Sequence, residues 1–63
     1  MDDEKAGLVL KAIGLAVVDL VAGQVPITKD NLVKRLEHTR KATVNFKDKE
    51  ASREAAELVR KGQ

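Results

Sequence analysis

The stretch LVLKAIGLAVVDLVA, from Leu8 to Ala22, has twelve hydrophobic residues among its fifteen. At about 100° per residue, these side chains are spread around nearly the whole of a helix. Only a narrow sector at Glu4, Lys11 and Asp19 is polar. A helix that packs on one layer shows a single apolar stripe and a polar back. This helix therefore needs cover from more than one side.

The residues around this stretch predict where the first helix begins and ends. Asp2, Asp3 and Glu4 place negative charge at the N-terminus, where the helix dipole favours it. Gly23 is expected to stop the helix in a left-handed backbone conformation. We therefore predict a first helix over residues 3–22.

Two shorter helices are predicted to follow. Thr28 is the expected N-cap of the second helix, which ends near residues 41–42. The third helix is expected to start at Asn45 or Asp48 and to end at Lys61. Its predicted inner face consists of Ala51, Ala55, Leu58 and Val59. No strand pattern competes with these helices, so the expected fold class is all-α with three helices.

One domain over residues 1–63 is small for an independent core, and chains of this size usually need a disulfide, a structural metal or association with another chain. The sequence has no cysteine, which removes disulfides and thiolate metal sites. Its single histidine cannot build an imidazole site for zinc, and its four glycines are too scattered for a phosphate-binding loop. We expect no metal and no cofactor, and association remains as the stabilising device.

We therefore expect two first helices to pair, antiparallel or crossed, in a two-fold homodimer, which is the commonest closed symmetry. Small residues such as Gly7 and Gly14 would let the two helices approach closely. A monomer with exposed valines is the alternative. The residues predicted for the dimer interface are Leu8, Ala12, Ile13, Ala16, Val17, Leu20 and Val21.

Charge and hydropathy predict a cytoplasmic protein that does not enter a membrane. The net charge is +2, with a net of +4 in residues 28–63, so an acidic partner is permitted. The acidic N-terminus is the opposite of the basic start of a secretory signal peptide. Fifteen helical residues cover about 22 Å, which is short of a hydrocarbon layer about 30 Å thick.

The sequence lacks the residues that most enzyme mechanisms use. His38 is the only histidine and Ser52 the only serine, and there is no cysteine or tyrosine. Ser52 lies in the segment KEASREAAE, which is typical of a surface helix and not of the strained turn that presents a nucleophile. The carboxylates alternate with lysine and arginine, as on a solvated helix face. We expect no catalytic residue and no enzymatic activity.

A basic stripe on the second helix is the candidate partner patch. Lys34, His38 and Lys41 fall at i, i+4 and i+7, and Arg35 and Arg40 flank them. We interpret the patch as a docking surface for an acidic signalling or regulatory protein, or for a phosphate backbone. The alternative is an ordinary solvated helix back.

A helix-turn-helix interpretation also has to be weighed. The segment AGQVPITKDNLVKRL has a helix end, a short turn and a second helix, and such units place the second helix in the major groove of DNA. Its N-terminal end would offer Thr28, Lys29 and Asn31 to base edges. The preceding helix is too apolar for a surface partner, and Phe46 is the only aromatic residue, which disfavours binding of single strands by base stacking.

The segment AIGLAVVDLVAGQVPITKDNLVKRLEHT, followed by KEASREAAELVRK, resembles a family of small enterobacterial regulators, the YmgB/AriR-type biofilm-modulating and two-component connector proteins. The resemblance covers about residues 12–61. It implies an all-helical homodimer that acts in biofilm formation, acid resistance or phosphorelay signalling by contacting a signalling protein or DNA. The matching residues are Ala16, Val17, Leu20, Leu36, Glu37 and Thr39.

The sequence thus predicts a non-enzymatic, cytoplasmic regulatory or adaptor protein that acts as a homodimer by protein–protein contact. A small DNA-binding transcriptional regulator that uses the second helix is the first alternative. A structural subunit of a larger complex, in which the first helix meets a different chain, is the second.

Overall fold

Three helices make up the part of the chain that the computed structural model describes, residues 3–62. Helix α1 spans Asp3–Ala22, α2 spans Lys29–Ala42 and α3 spans Phe46–Lys61. No strand occurs between residues 3 and 62, so the all-α, three-helix prediction is confirmed. Asp2, which was expected at the start of the first helix, lies outside the described residues.

Side-chain caps explain where α2 and α3 begin. The backbone N–H of Asn31 donates to Thr28 Oγ1 at 3.1 Å, and the backbone N–H of Asp48 donates to Asn45 Oδ1 at 3.1 Å. Each bond satisfies one of the N–H groups that a helix start leaves without an intrahelical acceptor. The predicted N-cap at Thr28 is confirmed, and of the two predicted starts for the third helix the structure uses Asn45.

Helix α1 ends in a Schellman motif centred on a residue that the sequence did not indicate. The N–H of Gln24 bonds to the carbonyl of Val21 at 3.1 Å, and the N–H of Val25 bonds to the carbonyl of Leu20 at 2.9 Å. The left-handed residue is Gln24, with φ of 57°, whereas no described glycine has a positive φ. The prediction of a left-handed Gly23 is therefore wrong by one position.

The core is built mainly from small side chains. Within residues 3–62 seven hydrophobic residues are buried, and four of them are alanine. The partly buried residues Leu8, Ala12, Ile13, Leu32 and Val59 pack against this cluster. The buried hydrophobic residues are Val9, Ala16, Leu20, Leu36, Ala51, Ala55 and Ala56.

Helix α3 turns most of the predicted face inward, including the partly buried Val59. Ala51 and Ala55 are buried as expected, but Leu58 is exposed. Ser52 and Ala56 are buried instead, which corrects the surface position predicted for Ser52. Small side chains on this face let the backbone of α3 come close to α1 and α2, and the larger Leu58 lies on the neighbouring sector of the helix.

The chain is compact, but its accessible surface is larger than its mass predicts. Its radius of gyration is 10.9 Å, against about 10.6 Å expected for a compact domain of this length. Its accessible surface is 4500 Å², whereas the surface–mass relation of monomeric proteins gives about 4,000 Å² at 6.9 kDa. None of the helices described here has the length and apolar character that crossing a bilayer requires.

The Schellman motif yields a stability prediction. Gln24→Gly is expected to raise the free energy of unfolding by about 0.5–1 kcal/mol, because a side chain in the left-handed region is strained while glycine is not. The gain is smaller than the strain because glycine also has more freedom in the unfolded chain. Urea unfolding measures it.

Gly23→Ala is the matched control. Gly23 has no positive φ, and an added Cβ would meet the Asp19 carbonyl oxygen at 3.4 Å, close to ordinary van der Waals contact. We expect little change in stability from this substitution. A loss of 1 kcal/mol or more would instead place the left-handed residue at Gly23.

Candidate functional site

The residues predicted for the dimer interface fall mostly on the face of α1 that is turned toward α2 and α3. Ala16 and Leu20 are buried within the chain's own core. Val17 is half-buried, and Val21 is exposed. The others are partly buried and pack against the core: Leu8, Ala12 and Ile13. The predicted set therefore needs correction, because α2 and α3 already cover most of it.

The uncovered apolar face of α1 shares only Val21 with the predicted set. Leu10 is 70 % exposed, Val18 61 % and Val21 59 %. Gly7 and Gly14 lie along the same face, and a Cβ built on either glycine would meet nothing within 4 Å outside its own helix. We call these five residues the α1 open face. The sequence showed that α1 is apolar on nearly every side, but not which side its own chain covers.

Covering the α1 open face would stabilise the folded protein substantially. Covering each of its three large side chains would be worth about 1.5–3 kcal/mol. A core of this size supplies only about 3–5 kcal/mol in total. Gly14, in the middle of α1, costs a further ~0.5–1 kcal/mol relative to alanine. A surface of this kind is typical of a site that another molecule covers.

A small groove lies on the neighbouring sector of the bundle. Its lining includes Leu8 and Leu15 of α1, Thr39 of α2, the C-cap residue Thr43 and Ser52 of α3, and its volume is about 110 Å³. Since the Ser52 residue is buried, its hydroxyl is not presented on a turn as a nucleophile would be. Within residues 3–62 no three His, Asp or Glu side chains converge as metal ligands would.

The structure divides the predicted basic patch into two groups. Lys34, His38 and Lys41 are exposed along one stripe of α2. Arg35 and Arg40 are only partly exposed and are engaged within the chain. Arg35 Nε donates to Asp19 Oδ2 at 3.1 Å, which ties α2 to α1, and Arg40 Nη2 donates to a glutamate of its own helix. The first three residues, which we call the α2 basic stripe, are exposed and lie on one side of the helix.

The Glu37–Arg40 ion pair explains why Arg40 is not part of the stripe. Arg40 Nη2 and Nε lie 2.8 and 3.2 Å from Glu37 Oε2. The hydrogen bond from Arg40 lowers the pKa of the Glu37 carboxyl below its ordinary value, because it stabilises the charged form, although burial opposes the shift. Arg40 thus neutralises a carboxylate beside the stripe.

The residues of the helix-turn-helix interpretation are also used locally. Thr28 Oγ1 accepts from the Asn31 N–H at 3.1 Å, and Asn31 Nδ2 donates to the Pro26 carbonyl at 2.9 Å. Two of the three side chains that the DNA interpretation would present to base edges therefore hold the turn before α2. Lys29 remains exposed.

The connection between α2 and α3 carries a surface that sequence reasoning missed. Val44 is fully exposed and Phe46 is 75 % exposed. Phe46 lines a groove of about 210 Å³ together with Arg40, Lys49 and Arg53. The signal in the sequence is a single aromatic residue directly after a helix cap.

Comparisons with known proteins do not assign this chain to a family. No family model matches the sequence, and no curated protein or solved structure matches it significantly.

The Glu37–Arg40 pair predicts a pH-dependent contribution to stability. Glu37→Gln is expected to cost about 0.3–0.5 kcal/mol at neutral pH, since the pair is partly exposed. A carboxyl with a lowered folded pKa stabilises the fold above its unfolded pKa, and the effect is lost as pH falls through the folded value. Urea midpoints of wild type and variant should therefore converge as the Glu37 carboxyl is protonated, at a pH below the ordinary pKa of a glutamate.

Glu57→Gln is the matched control. Glu57 Oε1 lies 3.9 Å from Arg53 Nη1, and its side chain is more exposed than that of Glu37. We expect no measurable change at neutral pH. If the urea midpoints of wild type and Glu37→Gln differed by the same amount throughout the acid range, the ion-pair explanation would be contradicted.

Proposed function

We propose that the protein is a non-enzymatic, cytoplasmic regulatory or adaptor protein that works as a homodimer. The observation that carries the proposal is the α1 open face, on which Leu10, Val18 and Val21 are each more than half exposed. Exposed apolar side chains that share one face of a protein mark an interaction surface. A second copy is the simplest occupant, since every copy presents the same face.

The partner of the dimer is proposed to bind at the α2 basic stripe. Lys34, His38 and Lys41 are exposed on one face of α2, so they suit an acidic protein surface. The stripe and the α1 open face lie on different helices, so a dimer formed through α1 would still present two stripes, one in each copy. A bivalent adaptor gains avidity when its partner offers two acidic sites.

The resemblance to YmgB/AriR-type proteins suggests the setting of this proposed activity. It would place the adaptor in biofilm formation, acid stress or two-component signalling. A DNA-binding regulator is the alternative, and it has less support because Thr28 and Asn31 are engaged in the turn before α2. The two functions differ in their response to salt, which makes them separable by experiment.

Sedimentation tests the homodimer. We expect a folded species of twice 6.9 kDa at micromolar concentration, and Leu10→Glu with Val18→Glu should convert it to a 6.9 kDa species. Burying a carboxylate in a dimer interface costs far more free energy than leaving it exposed. The dimer Kd should therefore rise more than tenfold. Val44→Glu is the control, because Val44 is fully exposed but lies off α1. A wild-type chain that sediments as a folded monomer would refute the proposal.

The α2 basic stripe is tested by reversing its charge. Lys34→Glu with Lys41→Glu should leave the dimer intact and abolish capture of proteins that the wild type retains from a native lysate. The control is Lys29→Glu with Lys61→Glu, which makes the same charge change off the stripe. It should leave the capture of these proteins unchanged. Binding of duplex DNA that falls steeply with salt would favour the DNA alternative.

A further inference from the structure

The residues of the α1 open face are spaced symmetrically about Gly14. Leu10 and Val18 lie four residues to either side of it, and Gly7 and Val21 lie seven residues to either side. Steps of four and seven residues stay on one face of a helix. These five positions are therefore unchanged when the direction of the helix is reversed, while the exposed Lys11 borders them on one side. This is the property that an antiparallel two-fold pair requires.

We infer that the α1 open face is covered by α1 of a second copy, antiparallel, with Gly14 at the two-fold axis. The inference rests on the proposed homodimer and specifies its partner surface and register. In this register Leu10 lies opposite the partner's Val18, and Val21 lies opposite the partner's Gly7. Each two-fold-related pair occurs twice, so one face supplies both halves of a self-complementary seam.

The two glycines fit this register sterically. Gly7 and Gly14 have no atom of another element within 4 Å of an added Cβ, so the space above each of them is open. Gly14 against Gly14 lets the two backbones approach at the crossing. Gly7 leaves a recess for a valine from the partner. A large residue meets a small one at the ends of the seam, and the smallest pair lies at its centre.

Charge distribution favours the antiparallel direction over the parallel one. Asp3 and Glu4 form an acidic first turn on α1, and the last turn of α1 carries no basic residue. A parallel pair would set two acidic turns side by side. An antiparallel pair separates them by about the length of the helix, which is ~30 Å for 20 residues. Like charges at that distance are screened in physiological salt.

Disulfide trapping tests the register, and it is well suited to a chain without cysteine. Gly14→Cys should form a covalent dimer on mild oxidation. A disulfide needs Cα atoms about 4.4–6.8 Å apart, and the proposed register brings the two copies of residue 14 together at the two-fold axis. Gly7→Cys alone should not, whereas a mixture of Gly7→Cys and Val21→Cys chains should form the mixed dimer. Val44→Cys, exposed but off α1, measures cross-linking by random collision.

The outcomes separate the register from the homodimer itself. Self-cross-linking of Gly7→Cys above the Val44→Cys level would show a parallel pair and overturn the inference. A wild type that dimerises while neither Gly14→Cys nor the mixture cross-links would also overturn it, but would leave the homodimer standing. A monomeric wild type would refute both.

A second variant guards against a cysteine that disturbs the seam. Gly14→Leu fills open space in the isolated chain and improves helix propensity, so circular dichroism should show a helix content no lower than that of the wild type. At the two-fold axis the same side chain would force the backbones apart. We expect at least a tenfold rise in the dimer Kd, and an unchanged Kd would overturn the inference.

Discussion

Close packing of α3 through small side chains is the constraint on which the rest of the structure depends. Ala51, Ser52, Ala55 and Ala56 are all buried, so α3 contributes proximity and little apolar volume to the core. Three helices can then come together in a short chain. The consequence is a core with few large side chains, which leaves one face of α1 without cover from its own chain.

The bounds of the helices could be predicted because their signals are local. Thr28 and Asn45 cap α2 and α3 through bonds to residues three positions ahead, and such bonds depend only on nearby sequence. The end of α1 at Ala22 was predicted correctly, but its left-handed residue was placed one position too early, because a glycine beside a glutamine is the usual choice for that conformation. The structure uses Gln24 instead, and no local pattern reveals that choice.

Faces were harder to predict than bounds, because which face is buried depends on neighbours that are distant in sequence. Leu58 was predicted on the inner face of α3, yet it is exposed and α3 packs through its smaller neighbours. On α1 the surplus of apolar surface was predicted, but the residues named for it were mostly those that α2 and α3 cover. Only part of the basic patch was predicted. Periodicity placed Lys34, His38 and Lys41 on one stripe. The ion pairs of Arg35 and Arg40 depend on tertiary contact and side-chain conformation, which periodicity does not show.

If the protein works as the proposed homodimer, its small core also links its abundance to its survival. If dimerisation adds stability comparable to that of the core, the folded fraction rises with the total concentration of the chain by mass action. At low chain concentration a larger fraction of the protein would be unfolded, and unfolded chains would be degraded first. Synthesis rate would then act as a threshold: below it the chain is cleared, and above it the dimer accumulates. The shortage of large buried side chains would in that way make dosage itself a form of control.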